Sequence, residues 1–150
     1  MQLILWRHAD AEDAAPGKPD AERGLTAKGE KQARRVAAWL RKRLPGDVRV
    51  VVSPARRAQQ TAQALIKHFE TSREVGTSAG PQSLLKAVDW PNWNGTVVVV
   101  GHQPTLGQAA ALALAGRAAD WSVKKGALWW LESRGRDDVM TRAVIAPDMV

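Results

Sequence analysis

The sequence predicts a three-layer α/β fold, a mostly parallel central sheet flanked by helices, with an antiparallel hairpin at the sheet edge. Three observations carry that reading. Residues 2–6, 48–52 and 97–100 are short apolar runs, rich in Leu, Ile and Val and bounded by polar residues, the composition of strands buried on both faces. Segments with helical spacing of apolar residues lie between them, the alternation that parallel strands with crossover helices require. Near the end, residues 127–131 and 139–145 are two strand-like runs joined by the charged loop Arg134-Gly135-Arg136-Asp137-Asp138, a hairpin signal.

The first strand runs straight into Arg7 and His8. Residues 11–24 are rich in Ala, Asp, Glu, Gly and Pro and predict an irregular loop. Thr26 is a good N-cap for a helix whose apolar face is Ala33, Val36, Ala37, Leu40 and Leu44, closed by Pro45-Gly46. Its polar face, Lys31, Arg34, Arg35, Arg41, Lys42 and Arg43, reads as a solvated surface.

After the second strand, Ser53-Pro54 predicts an N-cap with proline at the first helical position. Ala58, Ala62, Leu65, Ile66 and Phe69 give that helix its apolar face, and Arg56 and Arg57 lie in its first turn, where backbone amides and the helix dipole add to their charge. Leu84, Leu85 and Val88 suggest a short helix, and residues 90–95 a turn-rich loop. Gly101-His102-Gln103-Pro104 follows the valine strand, and Leu106, Ala110, Ala113 and Leu114 then mark a helix that stops at Gly116.

At 150 residues the chain is expected to form one domain, residues 1–150. A chain of this size buries roughly 70% of its unfolded surface, enough to fold without a metal or a crosslink. With no cysteine, disulfides, thiolate metal sites and cysteine nucleophiles are excluded. A metal site would have to use His8 and His102 with carboxylates and is not favoured. No stretch approaches the ~20 apolar residues of a membrane span, and the first run lacks the basic flank of a signal peptide. A cytoplasmic monomer without a membrane partner is expected.

The formal charge of +7 suits an anionic substrate, an acidic protein surface or nucleic acid. Nucleic acid is the weakest of these, because the tryptophans do not interleave with a basic stripe. Trp6, Trp39, Trp129 and Trp130 fit a core, whereas Trp90 and Trp93 suit a cleft.

In an open α/β sheet, ligands bind beyond the carboxyl ends of the strands. Arg7 and His8, Arg57 just inside its helix, and His102 all follow strand ends. Two arginines, two histidines and a helix N-terminus suit a tetrahedral dianion and would repel a metal cation. The adjacent arginine also favours the neutral, nucleophilic form of His8.

These residues stand in ordered motifs: Arg7-His8-Ala9, Ser53-Pro54-x-x-Arg57-Ala58-x-Gln60-Thr61 and Gly101-His102-Gln103-Pro104. The set resembles the histidine phosphatase superfamily, with a phosphoglycerate-mutase-like fold. The short chain and Asp20-x-x-Arg23-x-Leu25-Thr26-x-x-Gly29 are most similar to the SixA-like branch of phosphohistidine phosphatases. The likeness spans residues 1 to about 116.

The resemblance implies His8 as the nucleophile that becomes phosphorylated, with Arg7, Arg57 and His102 holding phosphate oxygens and no cofactor or metal. Asp10, Gln103 and Asp89 are auxiliary candidates. Ala9 replaces a glycine common after the histidine. Larger members place a carboxylic acid near the stretch read here as residues 80–84, where Gln82 stands and cannot donate a proton; Asp10, Glu12 or Asp89 would have to substitute. That points to phosphohistidine on a protein as substrate. The alternatives are a small-molecule or activated-aryl phosphomonoesterase and, more weakly, a catalytically idle phosphate-binding module.

Overall fold

A computed structural model of the chain describes residues 1–135 and 137–150. Arg136, in the predicted hairpin loop, lies outside the described residues. Six strands form one sheet: β1 (Gln2–Arg7), β2 (Arg49–Val52), β3 (Glu70–Thr71), β4 (Thr96–Gly101), β5 (Leu128–Ser133) and β6 (Val139–Ile145), in the order β3-β2-β4-β1-β5-β6. The first four are parallel, and β5 and β6 close the edge as an antiparallel hairpin.

Among the described residues four α-helices cover the sheet: α1 (Ala27–Arg41), α2 (Arg56–Gln63), α3 (Pro81–Ala87) and α4 (Thr105–Ala115). Successive residues of a strand point to opposite faces. Ile4 and Trp6 therefore pack with Val36, Ala37 and Leu40 of α1 and Ala58 and Ala62 of α2. Leu3 and Leu5 pack with Leu84 and Leu85 of α3 and Leu106 and Ala110 of α4 on the other side. All four central residues of β1 are wholly buried, each contributing about 1.5–3 kcal/mol relative to an exposed side chain. A charge at Leu5 would be buried without a partner in the core that it shares with α3 and α4.

Thr26 caps α1 by accepting the Gly29 amide at 3.0 Å, and Gly116, in the left-handed region, ends α4. The start of α2 corrects the expectation. Ser53 and Pro54 do not begin the helix; Ala55 occupies the cap and Arg56 the first helical position. The Ser53 hydroxyl takes up the Ala55 amide at 3.2 Å and a contact to His102, and so makes a turn instead of a cap. The helix also ends at Gln63, before Leu65, Ile66 and Phe69, which still pack partly buried on the same core. The short strand β3 is exposed and polar and leaves no apolar signal.

Trp6 and Trp130 are buried, and Trp39 and Trp129 lie half-buried against the two cores. Trp90 packs partly buried against the core of α3 and α4. Trp93 is exposed, under the Arg49 guanidinium at 4.6 Å. No helix is long and apolar enough to cross a membrane among the described residues.

Candidate active site

Register builds the site. Arg7 pairs with Gly101 across β1 and β4, so His8 and His102 each emerge one residue later on adjacent parallel strands. Their ring centroids are 5.2 Å apart. Val52 pairs with Val100, which delivers Ser53 beside the same edge. α2 then starts three residues on and turns Arg57 inward, 4% exposed, while Arg56 faces solvent. Arg7, His8, Arg57 and His102 line one cleft of about 280 Å³, together with Asp20 and Thr77.

The hydrogen bonds set the chemistry. His8 Nδ1 lies 2.8 Å from the Ala9 carbonyl, which can only accept, so Nδ1 carries the proton and Nε2 keeps its lone pair. His102 Nε2 lies 2.7 Å from the Ser53 hydroxyl. Ser53 is wholly buried and already accepts from Ala55, so donating its own proton to Nε2 satisfies both groups and leaves the His102 proton on Nδ1. Thr61 ties nucleophile to clamp: its hydroxyl accepts the Ala9 amide at 3.0 Å and donates to the Arg57 carbonyl at 2.7 Å.

Arg7 Nη1 donates to the Val123 carbonyl at 2.9 Å. Arg57 is held by Asp20, through its carbonyl at 2.9 Å and its carboxylate at 3.1 Å. Among the described residues, the buried side-chain nitrogens and oxygens without a protein partner are three: Arg7 Nε, Arg57 Nε and His102 Nδ1. All three are donors on residues lining this cleft. A tetrahedral anion with acceptor oxygens matches that set.

Burial, with the charges of Arg57 and Arg7, pushes His8 down to about 4, although its bond to Ala9 opposes the shift. Burial, the neighbouring His8 and Arg57 push His102 down to about 3. Both rings are therefore neutral at pH 7. Arg7 is also lowered by burial and by Arg57, as befits two cations in one pocket.

The auxiliary candidates fall differently. Gln103 lines the cleft, but both ends of its amide are engaged: Nε2 donates to Trp121 O at 2.8 Å and Oε1 accepts from Gly107 at 2.8 Å. It fastens the Trp121 backbone to the start of α4. A Cβ on Gly107 would overlap the Trp121 carbonyl, so only glycine permits that approach. Asp10 lies beside the cleft, accepting from Thr26 Oγ1 at 2.7 Å and from Lys125 Nζ at 3.1 Å. The Thr26 bond leads the causes that hold it below the ordinary carboxylate range. Asp89 sits in the loop before β4, at the other end of the sheet, with its carbonyl accepting from Asn92 and Trp93. Gln82 is exposed on α3 and does not line the cleft, nor do Trp90 and Trp93.

Asp13 and Asp20 are the carboxylates on the cleft wall. Burial raises Asp20, but bonds from Arg23 and Arg57 outweigh it and leave it below its ordinary value, an anion and not a proton donor. Sequence reasoning quoted Asp20 and Arg23 only as part of a motif and did not single out Thr77, Lys125 or Asp13. Among the described residues no group of three His, Asp or Glu side chains is placed to hold a metal ion.

The model of the histidine phosphatase superfamily (branch 1) matches residues 3–95. The phosphohistidine phosphatase SixA of Escherichia coli K12 is 33% identical over 119 residues, covering 74% of this chain and 73% of its own. The solved structure of the protein histidine phosphatase SixA complexed with tungstate superposes with a TM-score of 0.82 at 24% identity, covering 99% of this chain and 98% of that one. A phosphoserine phosphatase mutant of Entamoeba histolytica in complex with phosphoserine shares the fold at a TM-score of 0.73 and 18% identity, over 99% and 98% of the two chains. Motifs, fold and relatives agree: the chain belongs to the histidine phosphatase superfamily, is SixA-like within it, and is a phosphatase.

Proposed function

We propose that this phosphatase hydrolyses phosphohistidine on a partner protein through a covalent phosphohistidine on His8, with no metal or organic cofactor. The observation that carries the reading is the set of three buried donors without protein partners, on residues that line one cleft with a histidine whose Nε2 lone pair is free. Arg7, Arg57 and His102 would hold the phosphoryl oxygens. His8 Nε2 attacks phosphorus as the bond to the substrate's imidazole nitrogen breaks and that nitrogen takes the electron pair. Water then attacks the phosphorus on His8, the P–N bond breaks, and inorganic phosphate leaves. Phosphoryl transfer needs mainly positioning and charge neutralisation.

The leaving group argues for the substrate. An alkoxide needs a proton as its bond breaks, worth roughly 10² to 10⁴ in rate. Asp20 is held as an anion, Gln82 is absent from the cleft, and Asp13, the other carboxylate on its wall, is exposed to solvent at the rim. An imidazole protonated on its far nitrogen leaves neutral without such help. The named activity of the 33%-identical relative supports the same reading.

The test compares specificity constants for phosphohistidine peptides, an activated aryl phosphate and serine phosphate. Phosphohistidine should lead and the serine ester trail by about 10² or more. Equal constants for the serine ester and phosphohistidine would overturn the reading. Rapid quench should trap acid-labile, base-stable phosphate on the wild type and none on His8→Ala.

A further inference from the structure

The cleft continues on both sides, and its two flanks differ in chemistry. Past Arg7 and Lys125 it opens into a trough of about 490 Å³ whose other walls include Lys28, from the first turn of α1, Lys124, Asp10 and Asp148. Past Thr77 it opens into a recess of about 250 Å³ whose wall area is mainly apolar, from Ala21, Pro54, Ala55 and Gly76, with Arg73 as its one cation among the described residues. One flank gathers four cations, the other is mainly apolar with the single cation Arg73.

In the trough four cations face two carboxylates. Asp10 is already engaged by Thr26 and Lys125. Lys28 and Lys124 are exposed and take part in no ion pair among the described residues. Two unpaired lysines thus stand beside the reacting centre, on the wall that Arg7 shares with it. A space of this size holds several side chains, and its walls carry no aromatic platform on which a nucleobase would stack. Acidic peptide fits it better than nucleic acid.

We infer that the trough formed by Lys28, Lys124 and Lys125 docks an acidic stretch of the substrate protein immediately to one side of its phosphorylated residue. The inference rests on the phosphohistidine reading above and adds to it a one-sided charge requirement. Exposed charges at a binding rim act mainly through encounter and affinity, so the effect belongs in KM and weakens with salt.

The experiment uses four histidine peptides phosphorylated with phosphoramidate: acidic on the amino side, acidic on the carboxyl side, acidic on neither, and basic on both. One acidic-flanked peptide should exceed the neutral one by about tenfold in specificity constant at low salt, through KM, and the basic one should be poorest. The double variant Lys28→Glu/Lys124→Glu should bring the acidic-to-neutral ratio to one or invert it, with the neutral peptide as internal reference for folding. Equal constants across the wild-type series, or an acidic preference that survives the double variant, would overturn the trough. So would inhibition by single-stranded RNA that exceeds inhibition by polyglutamate. A parallel series carrying phosphotyrosine separates the two readings. If only that series is hydrolysed and keeps the acidic preference, the trough stands and the phosphohistidine substrate falls. If phosphohistidine is hydrolysed at one rate whatever its flanks, the reverse holds.

Discussion

Ser53 Oγ lies 2.7 Å from His102 Nε2, and this contact decides which nitrogen of His102 carries its proton. With the serine proton on Nε2's side, Nδ1–H is the donor left without a protein partner at the cleft. Ser53→Ala frees the tautomer and leaves Nε2 buried and unpaired, at a cost of about 1–3 kcal/mol. We expect a fold-retaining variant whose kcat falls about tenfold or more, with the His102 ring nitrogens changing pattern in 15N spectra. An unchanged spectrum would mean that Ser53 does not set the tautomer.

Arg56 and Arg57 are adjacent, yet only Arg57 is buried in the cleft. Arg57→Ala should leave a folded protein and lose about 10² to 10³ in kcat on an activated aryl phosphate, the usual cost of one charge-stabilising donor. Arg56→Ala should stay within about twofold, since its contact to the Glu22 carbonyl is long, 3.5 Å, and exposed. Reversed effects would place the wrong arginine on the phosphate.

The pair also shows what could be read from the sequence. Strand ends are local signals, so the positions of His8, Arg57 and His102 along the chain were legible, and parallel topology then brought them to one edge. The motif singles out Arg57 over Arg56, but the start of α2 is not legible locally, because the Ser53 turn moves the cap to Ala55. Asp20 reaches Arg57 across 37 residues of chain, and Lys125 arrives because Val123 and Gly126 on either side of it are bonded to Arg7 and to the His8 carbonyl. Such long-range packing leaves no periodicity to detect. The sheet order, likewise, required the register and not the composition of the valine runs.

Gly29 lies inside α1, where alanine would ordinarily favour the helix by about 1 kcal/mol. A Cβ there would overlap the Asp10 carbonyl, which also accepts the Thr26 amide. Backbone cannot move aside as a side chain can, so the clash should outweigh the propensity. Gly29→Ala is expected to destabilise by about 1–3 kcal/mol and to lower kcat, because Asp10 lies two residues from His8. A variant more stable than wild type in urea would show that α1 and the loop are not in contact.

The two cleft histidines make stability and anion binding depend on pH together. Their folded values, about 4 for His8 and about 3 for His102, lie below the unfolded value of roughly 6.5. Between those limits the unfolded chain binds protons that the native site refuses, so stability rises with pH across the window. On acidification it should fall from about pH 6.5 downward, by several kcal/mol in all. Asp10 and Asp20 are held below their ordinary values, so they titrate later and do not account for the first part of the fall. A bound dianion reverses the balance by favouring the charged rings. Sulfate remains dianionic throughout this range, so its binding should become tighter as pH drops from 8 to 5, with proton uptake. Thermal melts with and without sulfate provide the measurement: the sulfate-induced rise in Tm should be larger at pH 5 than at pH 8 and nearly absent in Arg57→Ala. A rise independent of pH would mean that the histidines do not face the anion, and the proposed phosphate site would have to be abandoned.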